Sequence, residues 1–163
     1  MDKRTIIGID PGTRLLGFGV VDVIGGKPVF VDMGVLDLRK DTDAYAKLRQ
    51  IYETVRMAQQ LGLDALAVGK ACGEVDKVAR DYIDARFPGS FGHSLGHGVG
   101  LFIHEQPRVA ANSETVLRPG HVVTVEPGVY IPGLGGCRIE DTVILTADGV
   151  INTIAAPKHL IEL

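Results

Sequence analysis

Cysteine, surplus positive charge and long apolar runs are all scarce in this sequence, and each shortage removes a class of protein. Cys72 and Cys137 show no CxxC spacing, so two free thiols in a reducing compartment are expected, with no disulfide. Lys and Arg number 17 against 20 Asp and Glu, for a formal charge of −3. That balance leaves no electrostatic footprint for nucleic acid or an anionic membrane surface. The opening "MDKRTIIGID" meets Asp10 and Pro11 after a very short apolar stretch, which fits neither a signal peptide nor a spanning helix. A cytoplasmic location is the expectation. With 163 residues and 45% hydrophobic content, the chain is long enough for one ordinary domain with a real core, and two would be crowded.

Glycine is abundant, at 21 residues, about twice the usual share, and gathers in residues 8–34 and 89–136. The runs "RTIIGID", "LLGFGVVDV" and "KPVFVDMGVLDL" are rich in β-formers and are separated by the turn signals "DPGT" and "IGGKP". Connections this short predict a three-stranded antiparallel meander. From Asp43 the period changes: Tyr45, Leu48, Ile51, Tyr52, Val55 and Ala58 share one helical face, with an end expected near Gly62. Val75, Val78, Ala79, Tyr82 and Ile83 repeat the spacing before "RFPGS" stops them. Strands are expected again around 99–104, at 121–127, 136–145 and 150–155. The order βββ, αα, ββββ reads as an α+β fold with a mainly antiparallel sheet packed with two or more helices.

The chemistry concentrates in "FGHSLGHGVGLFIHE", which places His93, His97 and His104 within fifteen residues. His97, Glu126 and Glu140 are three good ligand types, the two glutamates lying on or at the ends of consecutive strand candidates. Imidazole with carboxylates suits Mn²⁺, Co²⁺, Zn²⁺ or Fe²⁺, and a glutamate shared by two metals with a bridging hydroxide would make a hydrolytic centre. His93 and His104 would then carry protons or donate to a developing oxyanion. Each residue alone has an ordinary reading: a lone histidine as a satisfied structural residue, Glu126 before Pro127 as a solvated strand end, Glu140–Asp141 as an exposed turn. Only the joint pattern favours the chemistry.

"GHSLGHGVGLFIHEQPRV", "VLRPGHVVTVEPGVYIPGLGG" and "CRIEDTVILTADG" closely resemble the C-terminal half of the pita-bread metallopeptidases, in the aminopeptidase P and Xaa-Pro dipeptidase branch. The resemblance implies that His97 is a metal ligand, Glu126 a second ligand and Glu140 the carboxylate bridging both metals. It matches His93 and His104 to the histidines that contact substrate and intermediate, and Arg138 to the arginine preceding the bridging glutamate. The same family draws two further aspartates from a hairpin with a pattern like D-x-G…D-x-T-R.

The first third resembles another family. "GIDPGTRLLGFGVV" is similar to the opening of RuvC, the Holliday junction resolvase with an RNase H-like fold, with Asp10 at its first catalytic acid; the further carboxylates such a nuclease needs are missing. Asp10-Pro11-Gly12 also echoes the peptidase hairpin, whereas Asp22 comes one residue late, and one residue turns a strand side chain to the opposite face.

The expectation is therefore a single hybrid domain over 1–163, with a resolvase-like segment 1–52 and a peptidase-like segment 53–163. Such a chain would be an engineered chimera with an incomplete dinuclear site, weak or partial occupancy by Mn, Co or Zn, and little activity. The alternative is an active Mn-, Co- or Zn-dependent Xaa-Pro peptidase in which Asp10 completes the metal centre. Xaa-Pro peptides are the expected partners, nucleic acid and membrane are not, and homo-oligomerisation stays open.

Overall fold

The structure, a computed structural model, describes residues 3–10, 15–37 and 42–161. It divides into two compact units, Met1–Ala46 with Ile161–Leu163, and Lys47–Leu160.

In the first unit β1 (Lys3–Asp10), β2 (Leu15–Ile24) and β3 (Lys27–Asp37) form an antiparallel sheet in that order, the expected meander. Gly25 and Gly26 join β2 to β3 with φ of +58° and +79°, the pair of positive angles a two-residue hairpin turn requires and glycine takes without strain. Val20 faces Asp32 while Val21 faces Phe30, so Val31 is an extra residue in a β-bulge. Asp22 is buried at 8% exposure. It accepts a 2.7 Å hydrogen bond from Thr5 Oγ1 and pairs with Lys3 Nζ at 2.7 Å, which hold its carboxyl below the usual carboxylate range. Its partners make it a structural residue of this sheet. The "DPGT" turn lies outside the described residues beyond Asp10, which ends β1 opposite Gly17. The Asp10 side chain is likewise outside them.

Helix α1 (Thr42–Ala65) crosses the boundary between the units. It runs past Gly62, where a helix end was expected. A Cβ there would stand 3.1 Å from Val125 Cγ1 and 3.2 Å from Leu95 Cδ2, so this glycine serves close helix packing and not termination. Ile51, Val55 and Ala58 are buried as the periodicity requires, whereas Tyr45 and Leu48 on the same stripe are exposed.

The second unit adds α2 (Cys72–Asp84) and seven strands: β4 (Gly96–Gly98), β5 (Glu105–Val109), β6 (Val122–Val125), β7 (Gly128–Ile131), β8 (Gly135–Arg138), β9 (Asp141–Thr146) and β10 (Gly149–Asn152). A five-stranded sheet runs β10-β9-β6-β4-β5, with β7-β8 as a separate ribbon. Alternate residues of β9, Val143 and Leu145, join Val123, Val125, Val109, Leu95 and Leu117 in a core completed by Val75, Ala79 and Ile83 of α2. The α+β class and the largely antiparallel pairing agree with the sequence pattern.

Two strand expectations fail. Residues 99–104 form a loop carrying the exposed Leu101, Phe102 and Ile103; apolar character without alternation resembled a strand there. The stretch 136–145 is two strands, β8 and β9, which pair with different partners, β7 and β6.

Candidate functional site

The glycines of "GHGVG" have a packing cause. Strand β4 lies between β6 and β5, and a Cβ on Gly96 would overlap the Thr124 carbonyl, its carbon only 2.7 Å away. On Gly98 it would overlap the Gln106 carbonyl, and on Gly100 the Glu105 carboxylate. His97 therefore projects from a strand pressed on both sides by backbone, opposite Arg108 on β5.

Its ring is fixed in a specific sense. Nδ1 lies 2.9 Å from the Gly98 carbonyl, which can only accept, so the Nδ1 proton is donated there and Nε2 is left with a lone pair in the neutral ring. That lone pair faces Glu126 Oε1 at 3.1 Å. Both side chains are largely buried, at 13% and 11% exposure. Two acceptors this close need a proton or a cation between them. Thr124, buried on β6, ties the pair together: its Oγ1 receives the His97 amide at 3.0 Å and donates to Glu126 Oε1 at 3.1 Å. Sequence reasoning missed Thr124, which stands on β6 two residues before Glu126, just past the strand's end at Val125.

His104 stacks edge-on against His97, ring centroids 4.4 Å apart. His93 directs Nδ1 at the Ser94 carbonyl at 2.9 Å and Nε2 at the Tyr130 hydroxyl at 3.2 Å. The three histidines, Glu105, Gln106, Arg108, Glu126 and Arg138 line one cleft of about 730 Å³. Arg138 places Nε 3.6 Å from Glu126 and 4.0 Å from Glu140.

The expected triad of His97, Glu126 and Glu140 is gathered only in part. Among the described residues no three His, Cys, Asp or Glu side chains converge as a metal site; Arg138 Nε lies within 4.0 Å of both glutamates. The donors that do meet fit a divalent ion: imidazole and carboxylate are the right chemistry, and donating Nδ1–H to a backbone carbonyl is the usual way a ligating histidine is oriented.

Comparison with known proteins decides the family. The model of metallopeptidase family M24 matches residues 25–147. This chain belongs to family M24. A Xaa-Pro dipeptidase of Pyrococcus furiosus is 42% identical over 146 residues, 83% of this chain and 42% of that protein. A Bacillus subtilis protein described as an uncharacterized peptidase, YqhT, is 46% identical over 118 residues, 72% of this chain and 33% of its own length. The solved Xaa-Pro dipeptidase from Bacillus anthracis superposes with a TM-score of 0.70 at 38% identity, over 91% of this chain and 41% of that one. The M24 chain thus spans well under half of these relatives.

These matches give the expected chimera no support. The M24 model begins at residue 25, inside the segment assigned to a resolvase, and M24 relatives align over most of the chain. No resolvase-like part is supported. The M24 segment excludes Asp10 and Asp22 and includes Asp32-Met33-Gly34 on β3, a second D-x-G that sequence reasoning passed over. Asp32 is exposed and accepts the Met33 amide at 2.8 Å.

Proposed function

We propose that this chain is part of a divalent-metal-dependent peptidase that hydrolyses Xaa-Pro peptides, the alternative reading of the sequence with the chimera set aside. The observation that carries it is the His97–Glu126 pair, two acceptors at 3.1 Å on a family M24 fold. Mn²⁺, Co²⁺ and Zn²⁺ are the ions of choice for these donors. His97 and Glu126 would hold the ion, with Glu140, the second carboxylate near Arg138, the further candidate ligand.

When bound, the ion supplies an acidified water able to attack a carbonyl at neutral pH. Around it the protein's own groups act on the substrate. His93 holds its Nε2 at the cleft wall through Tyr130 and is placed to exchange a proton with the substrate amide. His104, exposed beside the His97 ring, supplies a donor to the oxygen on which charge develops. Arg138 keeps Glu126 oriented from the side opposite Thr124.

Hydrolysis of Ala-Pro with added Mn²⁺, Co²⁺ or Zn²⁺ tests this. Turnover should vanish on chelation and fall by about 10²-fold or more in Glu126→Gln. Turnover that survives both would refute the reading, as would a chain that binds the ion yet cleaves no Xaa-Pro peptide.

A further inference from the structure

Below the cleft, Asp76 and Arg80 stand one turn apart on α2 and form an ion pair in which both carboxylate oxygens are used: Arg80 Nε to Oδ2 at 2.7 Å and Nη2 to Oδ1 at 2.9 Å. Asp76 has no exposure and the Arg80 side chain 24%. A pair this buried is costly to desolvate and needs further partners to be tolerated. Those partners all lie on one segment. Arg80 Nη1 donates to the Phe91 carbonyl at 2.8 Å, Nη2 to the His93 carbonyl at 2.7 Å, and Asp76 Oδ1 accepts the Leu95 amide at 2.9 Å. The guanidinium also lies 4.3 Å from the Phe91 ring centroid, and that ring meets His93 edge-on at 4.9 Å.

Residues 91, 93 and 95 are thereby tied to the helix at every second position, and the Ser94 carbonyl between the last two lies 2.9 Å from His93 Nδ1, whose Nε2 faces Tyr130. Spacing alone does not distinguish such a pair from an exposed i,i+4 pair of the kind that contributes only tenths of a kcal/mol.

We propose that Arg80, with Asp76, is a positioning residue for His93: its planar fork, and not merely its charge, sets the rotamer and tautomer with which His93 meets a peptide. The proposal rests on the reading of the cleft as a peptidase site. Lysine at position 80 can keep the charge opposite Asp76 but cannot reach two carbonyls and a carboxylate in one plane.

The experiment is NMR of the full chain with labelled histidine, followed in the parent, Arg80→Lys and Lys77→Ala, the last breaking an exposed pair with Asp81 on the same helix. In Arg80→Lys the contact between the His93 ring and Tyr130 should be lost and the His93 signals displaced, while His97, His104, His121 and His159 keep theirs; Lys77→Ala should change none. Ala-Pro should bind Arg80→Lys about tenfold more weakly or worse. Unchanged His93 signals, or displacement of all five histidines together, would overturn the proposal. Should Arg80→Lys fail to fold, the parent chain still decides: separate, slowly exchanging Arg80 Nη signals coupled to the Phe91 and His93 carbonyls are expected, and one averaged signal would overturn it. If the clamp signatures hold and Ala-Pro leaves the His93 signals of the parent unmoved, the peptidase reading fails and the clamp stands.

Discussion

Gly96→Ala tests how the cleft is built. The added methyl would overlap the Thr124 carbonyl and sit 2.7 Å from its carbon and 3.1 Å from its hydroxyl oxygen. Overpacking a core against side chains costs about 1–3 kcal/mol. Here the obstacle is the backbone of β6, paired on its far side to β9 through Val123–Val143 and Thr124–Thr142, so the strain cannot relax by a rotamer change and the upper figure of ~3 kcal/mol applies. For a chain of this size that is a fall in Tm of roughly 10 °C. Gly120→Ala is the control: its φ is +92° with nothing within 4 Å of a Cβ, leaving only backbone strain of about 1 kcal/mol and a fall of ~3 °C. Because the Thr124 hydroxyl links the His97 amide to Glu126, Gly96→Ala should also lose divalent-ion binding, whereas Gly120→Ala should keep it. Thermal melts followed by circular dichroism give the first comparison and calorimetric Mn²⁺ titration the second. A Gly96→Ala melt within a degree or two of the parent would refute the packing argument.

Thr124→Val removes the hydroxyl between His97 and Glu126 at nearly constant volume, and Mn²⁺ affinity should drop about tenfold or more with the fold intact; unchanged affinity in titration would contradict the role. Asp22 has its carboxyl lowered by hydrogen bonds from Lys3 and Thr5, so its contribution to stability is fully present above the ordinary value of 3.8 and is lost as pH falls through the lower folded value. Asp22→Asn should therefore cost stability at neutral pH and progressively less in acid, read from melts across that range; a constant difference would remove the linkage.

What the sequence made legible were features with local causes. Turn signals placed the β1–β3 meander, and periodicity placed the inner faces of α1 and α2 through Ile51, Val55, Val75, Ala79 and Ile83. The spacing of His93, His97, His104 and Glu126 foretold one cleft, since a short loop and neighbouring strands keep them together. What stayed hidden had causes elsewhere in the chain. Gly62 looked like a helix end because its need for space comes from Leu95 and Val125. Leu101, Phe102 and Ile103 looked like a strand because apolar character does not reveal that nothing among the described residues covers them. Arg138 ends β8 and Glu140 lies in the break before β9, which a continuous strand over 136–145 concealed.

The central claim is that His97 and Glu126 form the heart of a divalent-ion site. Its most direct test is calorimetric titration of Mn²⁺ into the parent chain, His97→Ala and Glu126→Gln, with folding verified by circular dichroism. The account predicts saturable binding in the parent and a loss of affinity of about tenfold or more in each folded variant. Equal heats in all three, or none in the parent, would contradict it.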